Sequence, residues 1–441
     1  MQNKIEISRR GLLAITAGIG VAATLSGCGG GSGASATTMT FLNEETDPPI
    51  LKFIQGAVKR YESETGVRVS LSQKAIGDLT QLLSSVQAGD AFDMSTASYT
   101  DVTYLGPENL SQLDGLMNDA AGGIDNFMES ALILDDGHYY GFPYNINNIA
   151  MYYRTDRLEQ VGAEVPSTWD ELKDLLSKMG AAGLPGITQP ISAKGATSDV
   201  GAELLWSNEV TLFDDESNVI LDDSAMMSRT VDCLEFLKEI QPYFVEGMES
   251  VDYGDIVKGF ITGTSSIAPY SGRIVDTIES DASDLADKFA FEAFPTPEAG
   301  MTPATGYDVN YWLIPKNSDG ADQALDFLAW FVKNEFVDYL LTGPFNMQPP
   351  LKSIYQDKKW SGAPVFKKYP EVRKTLDKMA VGDGYRAGGL WIQPPVDGVI
   401  KERIFSENVI PNMFQGVLLG GDSPTAAVQK AADNLRKIAS S

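Results

Sequence analysis

Few side chains in this sequence are suited to covalent or metal chemistry. Among 441 residues there is one histidine, His138, and there are two cysteines, Cys28 and Cys233. HExxH, CxxC, P-loop and G-x-S-x-G patterns are absent after residue 27. A metal site or a histidine-based triad needs more imidazole than this. No metal and no cofactor are therefore expected, and His138, in a Gly/Asp/Tyr loop, reads as a surface turn residue. Carboxylates are abundant, with 60 Asp and Glu. Hydrolysis of a glycosidic bond needs only two of them, so residue types alone leave a hydrolase or lyase open. The acidic pairs Asp214-Asp215 and Asp222-Asp223 read as solvated loops.

Cys28 has a more specific chemistry. Ser8-Arg9-Arg10-Gly11-Leu12-Leu13 is a twin-arginine export signal, followed by an apolar run over 12–25. The run ends in Leu25-Ser26-Gly27-Cys28, which resembles a lipobox, where a peptidase cuts before a cysteine that carries lipid. A run of about 14–16 residues is shorter than the ~20 that a spanning helix needs. Residues 1–27 are thus expected to be removed, and Cys28 to be acylated on the outer face of the membrane or in the periplasm. Residues 28–38, rich in Gly, Ser and Thr, would form a flexible tether.

Cleavage would remove Lys4, Arg9, Arg10 and Glu6 from 34 basic and 60 acidic residues, leaving 31 against 59, a net charge of −28. Such a surface repels phosphates, so no nucleic-acid partner is expected. Cys233 is left without a partner for a disulfide and reads as a buried apolar side chain in a helix over 231–240. With 43% hydrophobic residues, burial suffices for two domains.

The elements that would position a site follow from periodicity. Thr40-Phe41-Leu42 reads as a buried strand ending at Asn43-Glu44. Ile50, Ile54, Ala57, Val58 and Tyr61 share one helical face, stopped by Gly66. Val67, Val69 and Leu71 alternate as a strand, Leu79, Leu82, Leu83 and Val86 mark a second helix, and Phe92-Asp93-Met94-Ser95 is a third strand, opening into Ser98-Tyr99. This order predicts a parallel sheet with right-handed crossovers. Ligands sit outside the carboxyl ends of such strands, where Asn43-Glu44 and Ser98-Tyr99 fall. Later, Thr168 and Glu171 fit a capping box. Residues 264–273 read as a short strand and a tight turn, and 307–316 as a strand. One long helix is expected over 321–341, and a terminal helix starts at Ser423-Pro424.

The order of segments resembles the extracellular solute-binding proteins of carbohydrate ABC transporters, the maltose-binding-protein-like family. The resemblance rests on Tyr140-Gly141-Phe142-Pro143-Tyr144, Tyr152-Tyr153-Arg154-Thr155-Asp156 and Pro166-Ser167-Thr168-Trp169-Asp170-Glu171-Leu172, in that order. It continues through Lys258-Gly259-Phe260 to Ser271-Gly272-Arg273, then Phe294-Pro295-Thr296-Pro297, Gly306-Tyr307-Asp308, Ile314-Pro315-Lys316 and Gln415-Gly416-Val417. It implies an α/β, two-lobe periplasmic-binding-protein-like fold with a hinge and a ligand cleft between the lobes. Lobe one would comprise 39–147 plus 303–355, and lobe two 148–302 plus 356–441. It also implies a protein that binds a sugar or oligosaccharide and delivers it to a permease, as a monomer and not as an enzyme. A sensory protein feeding a membrane receptor would have the same sequence features.

Sugars are held by aromatic faces on their C–H surface and by carboxylates or amides that bridge paired hydroxyls. The family pattern places Asn43, Glu44, Ser98, Tyr99, Asn147, Ser271, Gly272 and Arg273 near the ligand. Tyr144, Trp206, Tyr270, Tyr307, Asp308 and Trp391 complete the expected set. Arg273 stands where the family commonly has an aromatic, and it could instead pair with a carboxylate. Tyr144 could pack beneath the hinge, and Trp206 could be core. Trp169, Trp312 and Trp330 read as structural.

Overall fold

The computed structural model describes residues 38–45, 47–73, 79–88, 92–390 and 398–440. The export signal, all of the tether before Thr38, Cys28 and Trp391 lie outside these residues.

Ten strands are described: β1 (Thr38–Asn43), β2 (Arg68–Gln73), β3 (Met94–Ser98), β4 (Leu134–Asp135), β5 (His138–Tyr139), β6 (Phe142–Arg154), β7 (Ile267–Tyr270), β8 (Phe289–Glu292), β9 (Ala304–Leu313) and β10 (Arg386–Ala387). Eight of them join one sheet, ordered β2-β1-β3-β9-β6-β7, with β8 on β6 and β10 on β9. β1 pairs in parallel with β2 and β3, as the strand–helix–strand order predicts. The helix Pro48–Thr65 buries the five expected residues and ends at Gly66, whose φ of 77° suits a residue without Cβ.

β6 and β9 are the long elements that link the two halves of the sheet. The first part of β6 pairs antiparallel with β9, from Phe142 opposite Trp312 to Ile149 opposite Gly306. Its second part pairs with β7 and β8, with Ala150 opposite Tyr270 and Arg154 opposite Phe289. Side chains along both strands are therefore shared between the two packed halves. Beneath the sheet, Trp312 is buried and stacks on Phe142 and Tyr144, and Phe331 meets it edge-on. These large rings supply much of the apolar area removed from water.

Several local expectations have their physical counterpart. Thr168 and Glu171 form a capping box at the helix Trp169–Ala181, and Ser423 caps Pro424–Ala439 through the amide of Ala426. Trp169 stacks on Phe236 at 4.5 Å. Cys233 is fully buried, and burial raises its thiol pKa, so it stays an inert apolar group. The single helix expected over 321–341 is two, Ala321–Asn334 and Phe336–Leu340. The break is at Glu335, whose φ is −120°. Its carboxylate accepts both Arg60 Nε, at 2.6 Å, and Arg60 Nη2, at 2.8 Å. A bidentate pair from 275 residues away outweighs a local helical preference. Among the described residues no helix is long and apolar enough to cross a membrane.

Candidate functional site

A cavity of about 1680 Å³ opens between the two halves of the sheet. Its walls come from segments that follow β1, β3 and β7 and from the faces of β6 and β9. Ten of the expected residues line it: Glu44, Ser98, Tyr99, Tyr144, Asn147, Tyr270, Ser271, Arg273, Tyr307 and Asp308.

On the first side, the amide of Glu44 donates to Thr96 Oγ1 at 2.8 Å. Ser98 ends β3 and caps the helix Tyr99–Asn109, a helix not foreseen, with Asp101 completing the capping box. The cap holds Tyr99 at the cavity wall, where Lys401 lies 4.4 Å from its ring centre and 3.3 Å from its hydroxyl. Lys401 is buried, and desolvation pulls its amine down to about 8. Along β6 and β9, Asn310 Nδ2 donates to Asn145 Oδ1 at 2.9 Å, and Asn145 Nδ2 to Asn147 Oδ1 at 3.3 Å. These amides are thereby fixed in orientation before any ligand arrives.

On the second side, Arg273 starts the helix Arg273–Asp281 and reaches across to Asp47, Nη2 to Oδ2 at 3.2 Å. Tyr270 lies 6.4 Å from Tyr253, which donates its hydroxyl to Asp199. Asp276 accepts the amides of Phe345, at 3.3 Å, and Asn346, at 2.9 Å.

Three of the expected residues are placed elsewhere, and a fourth is outside the described residues. Asn43 is fully buried behind the cavity, with its Nδ2 on the carbonyl of Glu45. Gly272 is a packing position: a Cβ there would collide with the carbonyl of Phe345. Trp206 does not line the cavity; Arg386 stacks on its ring at 4.1 Å. Trp391 lies outside the described residues. Tyr144 touches the cavity, but it is only 1% exposed and one ring face is covered by Trp312 at 4.7 Å. Sequence reasoning also missed lining residues, chiefly Asp199, Glu203 and Tyr253. Asp199 lies on a π-helical turn, Thr197–Gly201, a feature that recurs at functional sites.

The cavity is strongly acidic. Burial, then the charge of Asp308, pushes Asp199 up to about 7. Burial pushes Asp308 up to about 6 and Asp276 up to about 7. Glu203 is raised well above the usual range, first by burial and then by Asp199. These groups keep their protons in the folded state at pH values where the unfolded chain, with carboxyls near 4, has lost them. The folded state then binds more protons between about pH 4 and 7, so stability falls as pH rises across that window. Below about pH 4 the opposite holds for Asp156 and Asp222, which Arg154 and Arg436 hold low. Thermal melts of the unliganded protein should therefore peak near pH 4–5 and decline toward pH 7.5. A melting temperature that climbs steadily from pH 5 to 7.5 would contradict this.

The profile of the family described as bacterial extracellular solute-binding protein matches residues 56–373. The chain belongs to this family. This solute-binding protein is 25% identical over 283 residues to a maltooligosaccharide ABC transporter solute-binding lipoprotein of Streptococcus pneumoniae, covering 63% of the chain. It spans 65% of that relative's length. An arabinooligosaccharide-binding protein of Halalkalibacterium halodurans is 23% identical over 264 residues, 53% of each chain. Among solved structures, maltose-bound MalE3 of T. maritima superposes with a TM-score of 0.75 at 17% identity, covering 91% of this chain and all of that one. The solute-binding protein therefore has the two-lobe α/β fold, and the cavity is its inter-lobe cleft.

Proposed function

We propose that this solute-binding protein captures a carbohydrate in the cleft and delivers it to an ABC transporter permease, without chemical turnover. The observation that carries this reading is the cleft lining itself. Fixed amides of β6 and β9, carboxyls and tyrosines converge there from both sides. That combination suits paired hydroxyls and the apolar face of a sugar ring. The relatives for maltooligosaccharide and arabinooligosaccharide agree with it. Glu44, Ser98, Tyr99, Asn147, Tyr270 and Arg273 are the contacts we assign, on lobes 39–147 plus 303–355 and 148–302 plus 356–441. Closure around ligand would shift an open–closed equilibrium at the β6 and β9 hinge. Release of product from a sugar incubated with the protein would overturn the non-enzymatic part.

The site of action is the outer membrane face, through lipid on Cys28. Export through Arg9-Arg10 and cleavage before Cys28 would leave the expected tether as the spacer, shortened by one residue because Thr38, in β1, already pairs with Arg68. Cys28→Ala should move the protein from the membrane fraction to the soluble one, with sugar affinity unchanged. Retention of that variant in the membrane fraction would refute the anchor.

A further inference from the structure

Glu203 is only 2% exposed, lines the cleft, and its Oε2 has no hydrogen-bond partner among the described residues. Burying a carboxylate unpaired is costly, yet the fold builds a niche for this one. A Cβ on Gly306 would fall 2.6 Å from Glu203 Cγ, and one on Gly389 would fall 3.0 Å from its Oε1. Both glycines leave the room the side chain fills.

Two more carboxyls face the same place. Asp308 lies two residues beyond Gly306 on β9, hence on the same strand face at a spacing of roughly 7 Å. Asp199 lies four residues before Glu203 and is held by Tyr253. Each of the three is close enough to repel another.

The countercharge on the protein side is small. Arg386 acts on Glu203 but spends its Nη2 on the carbonyl of Trp206 and its face on the Trp206 ring. Among the described residues, the cleft lining holds eleven acidic side chains and four basic ones. Three of those four are engaged: Arg273 is paired with Asp47, Lys368 with Glu279, and Lys194 lies 2.9 Å from the Ser250 carbonyl, which leaves Lys258.

We propose that the ligand is an amino sugar whose protonated amine sits against Glu203, Asp199 and Asp308. This rests on the carbohydrate reading above and names the ligand class within it. A neutral sugar would offer these carboxyls hydrogen bonds only, whereas an ammonium would take the place of protons that they hold in the empty cleft and leave a buried ion pair.

The test is calorimetric titration at pH 6 with matched neutral and amino pairs: glucose and glucosamine, cellobiose and the β-1,4-linked glucosamine disaccharide, trehalose and aminotrehalose. The amino member of the binding pair should bind about tenfold tighter or more. Glu203→Gln, which keeps the shape, should bring the two within about threefold, with a cooperative thermal melt reporting that the variant is folded. If Glu203→Gln does not fold, Asp199→Asn serves with the same expectation. Equal or tighter binding of the neutral member, or an amine preference that survives both substitutions, overturns this inference and leaves the carbohydrate reading standing. Absence of binding by every sugar overturns that reading and this inference together.

Discussion

Tyr144→Ala is expected to destabilise the protein by roughly 3–5 kcal/mol, the cost of removing a large buried ring and leaving a cavity. The ring is 1% exposed, stacks on Trp312 at 4.7 Å and 24°, and meets Tyr339 at 6.0 Å. Its hydroxyl donates to Glu45 Oε1 at 3.1 Å. Tyr144→Phe keeps the packing and should cost only about 1 kcal/mol. Denaturant unfolding of both variants measures this; a Tyr144→Ala midpoint equal to wild type would contradict it. Arg273→Ala is the contrast. Its side chain is 37% exposed, and its pair with Asp47 is of the kind worth ~0–1 kcal/mol. That variant should keep its melting temperature and lose sugar affinity. Loss of a ligand contact and loss of the core beneath it are thus separable.

Gly272→Ala is expected to be as severe, by overpacking. The added methyl would run into the carbonyl of Phe345 and lie 2.7 Å from the amide nitrogen of Asn346. The obstruction is main chain, which cannot rotate away as a side chain can. The same two residues donate their amides to Asp276, so relief by separation would break both bonds. A loss of about 3 kcal/mol or more follows, with closure of the cleft impaired because this seam joins segments from either side. Calorimetric unfolding checks it, and a variant as stable as Gly272 itself would show that the seam yields freely.

The parts of the fold legible in the sequence are those set by short-range pattern. The apolar face from Ile50 to Tyr61, the stop at Gly66 and the caps at Thr168 and Ser423 each depend on residues within a turn or two. The polar ends of β1 and β3 were legible for the same reason, since strand direction places them at a carboxyl edge. What escaped depends on distant chain. Glu335 breaks a helix because Arg60 holds it, and Gly272 is a packing glycine because Phe345 lies on it. Asp199 and Tyr253 meet across 54 positions. Glu203 did carry a local signal: a lone carboxylate inside the apolar run Val200-Gly201-Ala202-Glu203-Leu204-Leu205 marks a buried acid with a reason to be there.

Capture of a carbohydrate in the inter-lobe cleft, without turnover, is the function proposed for this solute-binding protein. Isothermal titration calorimetry with a panel of mono- and oligosaccharides tests it most directly, because the same trace separates binding from turnover. A saturable one-site heat is expected for at least one sugar, weakened by Arg273→Ala, with the baseline restored after each injection. No heat from any sugar, or a sustained heat flow proportional to protein and signalling continuing reaction, would contradict it.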